Sequence, residues 1–107
     1  MSAAVLSPQA RRDVLEAIRW ITRDNPLAAR ALRAAVAQAS ERIGVHPLIG
    51  SVRPELAPAR YRFVVLTGFP YVIVYNGERD PPLIVRILHG ARDLPEVLRD
   101  LQPNAKP

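Results

Sequence analysis

The chain has 107 residues, of which 49% are hydrophobic and none is cysteine. This length fits a single domain over residues 1–107 that can bury about two thirds of its unfolded surface, and the lack of cysteine excludes disulfides, thiolate metal sites and thiol catalysis. The net charge of +5 is carried almost entirely by arginine. It is compatible with an acidic protein or a nucleic acid as partner, and equally with a solvated basic surface.

The sequence gives no sign of a membrane segment. No apolar run approaches the roughly 20 residues that a membrane span requires, and the first residues, MSAAVLSPQARRD, lack the basic start and apolar core of a signal peptide. We therefore expect a cytoplasmic protein.

The first half of the chain is predicted to form a helical hairpin over about residues 8–43, preceded by a possible short strand within residues 3–6. Ser7-Pro8 and Asn25-Pro26 are both helix starts, because a Ser or Asn side chain caps the free backbone N–H groups and proline suits the first turn. Apolar residues recur every three or four positions over residues 8–24 and 26–43. Gly44 is predicted to end the second helix as a left-handed cap.

The second half is predicted to form a three-stranded antiparallel meander over residues 60–88. Residues 60–66, 71–75 and 83–88 are rich in β-branched and aromatic residues and are bounded by Gly, Pro, Asn and Asp. If side chains alternate regularly along the last strand, Arg86 points with Ile84 and Leu88. The linker over residues 44–59 has neither helical nor strand periodicity, and we expect Leu48, Ile49 and Leu56 to attach it to the body. A short helix over about residues 93–101, capped by Asp93, is predicted to follow the meander.

Basic and aromatic side chains cluster on the meander and form the candidate site. A set of this composition can bind an acidic or amphipathic segment, with Tyr and Arg as anchors, or can hold a phosphodiester with a histidine as acid or base. The alternative is structural: the tyrosines are half-buried sheet residues, and Arg86 pairs with a carboxylate such as Asp93. Trp20, on the first helix, packs on the sheet or on a partner. The candidate residues are Trp20, Arg60, Arg62, Tyr71, Tyr75, Arg86, His89 and Arg92.

Signatures of the common catalytic and cofactor sites do not occur. The sequence has no Gly-rich phosphate loop, no G-x-S-x-G elbow and no H-E-x-x-H motif. His46 and His89 have no carboxylate at ligand spacing, so we expect neither a metal nor a cofactor. A binding protein is favoured over an enzyme.

Five fragments, in their order along the chain, resemble the ParE branch of the RelE/ParE toxins of bacterial type II toxin–antitoxin systems. The fragments lie between residues 6 and 98 and read LSPQARRDVLEAI, DNPLAARAL, HPLIGSVRPEL, YVIVY and IVRILHGARD. The resemblance implies an α+β fold in which an N-terminal helical hairpin packs on a small antiparallel sheet. It also implies a ParD-like antitoxin, which we expect to bind along the hairpin and the sheet edge with an amphipathic helix and an extended strand.

Three functions are compatible with this resemblance. ParE-type toxins inhibit DNA gyrase, which makes a non-enzymatic growth inhibitor the leading hypothesis. RelE-type relatives cut messenger RNA on the ribosome, and Arg62, Arg86 and His89 fall at roughly matching positions. However, the lysine pair typical of that branch has no counterpart before Arg60, and no catalytic tyrosine follows His89. The third possibility is a non-toxic corepressor that only binds the antitoxin.

Overall fold

The computed structural model describes residues 2–90. Two helices pack on a five-stranded mixed sheet in an α+β architecture. The helices are α1 (Pro8–Thr22) and α2 (Pro26–Val45), and the strands are β1 (Val5–Leu6), β2 (Ser51–Val52), β3 (Tyr61–Val65), β4 (Tyr71–Asn76) and β5 (Leu83–His89). The predicted helix over residues 93–101 lies outside the described residues.

Both helices begin where the sequence predicts. The Ser7 hydroxyl oxygen accepts a hydrogen bond from the Ala10 N–H at 3.0 Å, and the Asn25 side-chain oxygen accepts one from the Ala28 N–H at 3.0 Å.

The prediction for the end of α2 was wrong, because Gly44 lies inside the helix. A Cβ on Gly44 would overlap the carbonyl oxygen of Ser2 and lie 2.8 Å from the Ala3 Cα. The glycine thus allows the first residues of the chain to lie directly against α2.

Ser7 has a second role, which makes it testable. Besides capping α1, its hydroxyl donates to the Val85 carbonyl oxygen of β5 at 3.1 Å, so one side chain joins the helix start to the sheet. We expect Ser7→Ala to lower the free energy of unfolding by about 1–2 kcal/mol, measured by urea denaturation. Ser51→Ala, at an exposed serine, is the matched control and should be nearly neutral. Equal midpoints for the two variants would contradict this role for Ser7.

The meander prediction is confirmed, and the sheet contains two further strands. The strand order is β1-β5-β4-β3-β2, with antiparallel pairing throughout except between β1 and β5, which are parallel. The expectation of a purely antiparallel sheet was therefore wrong. The helical hairpin connects the chain from β1 back to the meander, and such a long crossover permits parallel pairing. The linker also contributes strand β2, which the sequence did not predict.

A β-bulge in β5 changes which side chains share a face. Val74 pairs with Arg86 but Tyr75 pairs with Ile84, so Val85 has no partner on β4. The regular alternation predicted for this strand was therefore wrong. Ile84 and Ile87 both lie in the core beneath the helices, whereas Leu88 lies in the core on the opposite face.

The sheet separates two apolar cores. The larger core lies between the helices and the sheet, and its fully buried side chains include Leu32, Ile43, Ile73 and Tyr75. The smaller core lies on the other face, where Leu56 and Ala57 of the linker cover Phe63, Val74 and Leu88. Leu56 thus attaches the linker as predicted. Leu48 and Ile49 do not, since they are 71% and 46% exposed.

Candidate partner-binding surface

Arg86 is bound to α1 by an ion pair. Its Nε and Nη2 atoms donate to the Asp13 carboxylate at 2.8 and 3.0 Å, and the Ile87 backbone N–H donates to the same carboxylate at 3.0 Å. The side chains of Arg86 and Asp13 are only 22% and 7% exposed. The prediction that Arg86 pairs with a carboxylate is confirmed, with Asp13 on the first helix as a partner. Asp93, the carboxylate named from the sequence, lies outside the described residues.

Tyr75 and Arg62 hold the linker against the sheet. The Tyr75 hydroxyl donates to the Pro47 carbonyl oxygen at 2.7 Å and accepts from the Gly50 N–H at 2.9 Å. Arg62 donates to the Gly50 carbonyl oxygen at 2.7 Å. A Cβ on Gly50 would lie 2.8 Å from the Tyr75 ring, so only glycine fits at this crossing. Burial of the Tyr75 hydroxyl raises its pKa, and the hydrogen bond from Gly50 and the charge of Arg62 oppose this rise.

The other candidate residues differ widely in exposure. Tyr71 is buried and contacts His89 edge-to-face, with the ring centroids 5.7 Å apart. Arg60 is exposed, and its guanidinium lies 5.1 Å from the centre of the Tyr61 ring. Trp20 is 62% exposed, so it does not pack on the sheet as one alternative predicted. Arg92 lies outside the described residues.

The pairing register separates Arg62 from His89, two of the three residues of the hypothetical ribonuclease site. Arg62 pairs with Tyr75, and His89 pairs with Tyr71, so both extend toward the helices from positions four residues apart along β4. That separation corresponds to about 13 Å. Arg86 pairs with Val74, and its guanidinium bonds to Asp13 of α1. The strands therefore do not bring Arg62 and His89 to one place.

An exposed basic and apolar surface lies on the helices, and of its residues the sequence analysis named only Trp20 as a candidate. Leu15 is 49% exposed, and Leu27, at the start of α2, is 75% exposed. The guanidinium of Arg23 lies 5.4 Å from the centre of the Trp20 ring. The sequence did contain an indication of this surface: Leu15 is a large apolar residue that falls outside the stripe of α1 that packs on the core.

An open groove of about 400 Å³ runs along this exposed side of α1, and we call it the α1 groove. Thr22 lies in its lining, and the Thr22 hydroxyl donates to the Ile18 carbonyl oxygen at 2.6 Å, so this residue presents no unsatisfied donor. The two charged residues in the lining are both arginines, and the lining contains no carboxylate. The residues that line the groove are Leu15, Ile18, Arg19, Thr22 and Arg23.

A second apolar surface follows the end of α2. Val45, Leu48 and Ile49 are all exposed, and together with His46 and Pro47 they surround an open depression of about 460 Å³. The hydrogen bonds of Tyr75 and Arg62 to this segment fix its backbone. The linker is therefore held from within the sheet while its apolar side chains face solvent.

Comparison with known proteins identifies the family. The sequence model for the ParE toxin of type II toxin–antitoxin systems, parDE, matches residues 4–94. The chain belongs to the ParE toxin family. The fold of this ParE toxin is also similar to a chain in the solved structure of the chromosomal ParDE toxin–antitoxin system from P. aeruginosa, with a TM-score of 0.69 and 18% sequence identity over 83% of this chain and 96% of that one. No curated protein matches the sequence significantly.

The described part of this ParE toxin has neither a candidate membrane span nor a candidate metal site. Between residues 2 and 90, no helix is long and apolar enough to cross a membrane. In the same part of the chain, no group of three or more His, Cys, Asp or Glu residues could hold a metal ion.

Proposed function

We propose that this ParE toxin acts in the cytoplasm, where it inhibits bacterial growth by binding DNA gyrase and is neutralised by direct binding of a ParD-like antitoxin. Membership of the ParE family carries the proposal, because this family is the toxin of a type II toxin–antitoxin system, parDE. The resemblance to ParE-type toxins implies gyrase as the target. The proposed activity is inhibition by binding rather than catalysis, and it requires no cofactor.

The geometry of the meander supports an inhibitor over a ribonuclease. General acid–base cleavage requires the acid, the base and the charge-stabilising groups to lie within hydrogen-bond reach of one reacting centre. Arg62 and His89 pair with β4 at positions four residues apart, which corresponds to about 13 Å. Arg62 and Arg86 are also engaged by Gly50 and Asp13. These bonds give both arginines structural roles.

The proposal predicts that the purified toxin reduces the supercoiling of relaxed plasmid by DNA gyrase in a dose-dependent way. Addition of the ParD-like product of the adjacent reading frame should restore supercoiling. A protein of this charge could also coat DNA. Relaxation of the same plasmid by a type I topoisomerase, at the same toxin concentrations, is therefore the control and should be unaffected.

Two results would count against this function. If gyrase retains full activity at a large molar excess of folded toxin, gyrase is not the target. If transcripts are instead cleaved when the toxin is induced in cells, and His89→Ala abolishes the cleavage, the ribonuclease hypothesis would replace the inhibitor.

A further inference from the structure

Three large apolar side chains lie close together in the chain at the end of α2 and face solvent. Val45, Leu48 and Ile49 are 46%, 71% and 46% exposed, and we call these three residues the linker patch. Each would gain free energy by leaving water. A single exposed leucine needs no explanation, whereas a group of exposed apolar residues marks a surface that binds a partner.

The backbone beneath the linker patch is held by hydrogen bonds, so the exposure is built into the fold. Tyr75 is fully buried, and its hydroxyl donates to the Pro47 carbonyl oxygen at 2.7 Å and accepts from the Gly50 N–H at 2.9 Å. The Ile49 N–H donates to the His46 carbonyl oxygen at 3.0 Å and closes a turn. A segment that is already rigid loses little conformational entropy when a partner binds, which favours affinity.

The same hydrogen bonds limit how a partner can bind to the linker patch. An extended peptide adds to a sheet through free backbone N–H and C=O groups. In this segment the carbonyl oxygens of His46, Pro47 and Gly50 and the N–H groups of Ile49 and Gly50 are all bonded within the protein. Recognition therefore depends on side chains, which suits the surface of a folded protein better than the extended strand expected of the antitoxin.

The charges beside the linker patch favour a protein over a nucleic acid. Glu41 and Arg42 are exposed near the end of α2, and both lie about one helical turn before Val45. Neither forms an ion pair within residues 2–90. Glu41 would repel a phosphate backbone. An apolar centre with an acid and a base at its rim is typical of protein interfaces, and it fits a partner that carries the opposite charges.

We infer that the linker patch is the surface through which the toxin binds DNA gyrase, with Leu48 at its centre. This inference rests on the proposed function and adds the part of the toxin that contacts the target. A second copy of the toxin fits less well, because each copy has a net charge of +5 and like charges oppose association. The partner surface is apolar opposite Leu48 and carries a base and an acid opposite Glu41 and Arg42.

The test compares the inhibition of gyrase supercoiling by purified full-length toxin variants. Leu48→Glu should raise the toxin concentration for half-inhibition at least about 30-fold, because it places a charge at the centre of the apolar contact, and Leu48→Ala should raise it about 10-fold. Leu27→Glu is the matched control. It makes the same change at a leucine that is 75% exposed at the other end of α2, about 27 Å away along the helix, and it should inhibit like the wild type.

Two further measurements show whether a loss of inhibition is specific. Circular dichroism and urea denaturation should give the same fold and midpoint for Leu48→Ala as for the wild type, since the side chain is mostly exposed. Calorimetry with the purified ParD-like product of the adjacent reading frame should give the same antitoxin affinity for Leu48→Glu as for the wild type.

The outcomes separate this inference from the proposed function. If the wild-type toxin does not inhibit gyrase, the proposed function fails, and the binding surface fails with it. If the wild type inhibits gyrase and the folded Leu48→Glu variant inhibits it as strongly as Leu27→Glu, only the binding surface is overturned. Unchanged inhibition with lost antitoxin affinity would assign the linker patch to the antitoxin. Unchanged inhibition with a wild-type dimer that becomes monomeric in Leu48→Glu, measured by light scattering, would assign it to a second copy.

Discussion

Replacing Asp13 by alanine is expected to destabilise the protein by about 3–5 kcal/mol, measured by urea denaturation at neutral pH. The carboxylate accepts two hydrogen bonds from Arg86, one from the Ile87 N–H and one from the Gln9 side chain at 3.2 Å. Its removal takes the carboxylate away from Arg86, whose side chain is only 22% exposed, and leaves the Ile87 N–H without its acceptor. The penalty is mostly the desolvation of these donors rather than the strength of the ion pair.

Glu16→Ala is the matched control for this prediction. Glu16 is an exposed acid on the same helix and makes no ion pair with the described residues, so its removal should change stability by less than about 0.5 kcal/mol. If Asp13→Ala unfolds at the same urea concentration as Glu16→Ala, the bond between α1 and β5 does not stabilise the fold. The prediction also affects how loss of toxicity is interpreted. An Arg86 variant that no longer inhibits growth must first be shown to be folded.

Tyr75→Phe is expected to lower the free energy of unfolding by about 1–3 kcal/mol, because it leaves the Gly50 N–H and the Pro47 carbonyl oxygen without their partner. The ring itself stays in place, so no cavity forms. The matched control is Tyr61→Phe. The Tyr61 hydroxyl has no hydrogen-bond partner within residues 2–90, so its removal should change the free energy of unfolding very little. Equal stability of the two variants would show that the linker is held by other contacts.

The pH dependence of stability gives an independent test of Tyr75. Burial raises the pKa of Tyr75 above the ordinary value of 10.0, so the unfolded chain loses this proton at lower pH than the folded protein. The stabilisation is therefore complete below about pH 10 and is lost as the pH rises above it. We expect the wild type to lose stability more steeply than Tyr75→Phe in this range. Parallel curves for the two proteins would contradict the assigned shift.

The helix starts and the meander could be predicted because their signals are local. Ser7-Pro8 and Asn25-Pro26 supply a cap and a first turn within a few residues, and the three strands are bounded by turn residues. Strand β2 could not be predicted, since it has only two residues, too few to show a pattern, and is held by pairing with Arg62 and Phe63. The role of Gly44 depends in the same way on Ser2 and Ala3, which approach α2 only in the folded protein.

The candidate site was predicted less well than the fold, for a physical reason. The residue types Arg and Tyr suit both partner binding and internal bonding, and sequence alone does not say which carboxylate or carbonyl group lies nearby. Asp13 is 73 positions from Arg86, and Pro47 is 28 positions from Tyr75. The bulge at Val85 also made the predicted faces of β5 wrong. The residues after it point to the opposite faces from those that regular alternation would give. Because of these long-range contacts, Tyr75 and Arg86 of the meander are bonded within the protein, whereas the arginines of α1 are exposed.

The arrangement of the outer strands bears on how the toxin behaves when it is made without its antitoxin. Beside β1, the Ala4 N–H bonds to the Ser40 carbonyl oxygen of α2 at 2.9 Å, so one end of the sheet is closed by a helix. At the other end, β2 has only two residues and is followed by Arg53 and Pro54. Short outer strands followed by charge and proline give a neighbouring chain little to extend. The outer strands within residues 2–90 therefore offer copies of the free toxin little backbone on which to join their sheets.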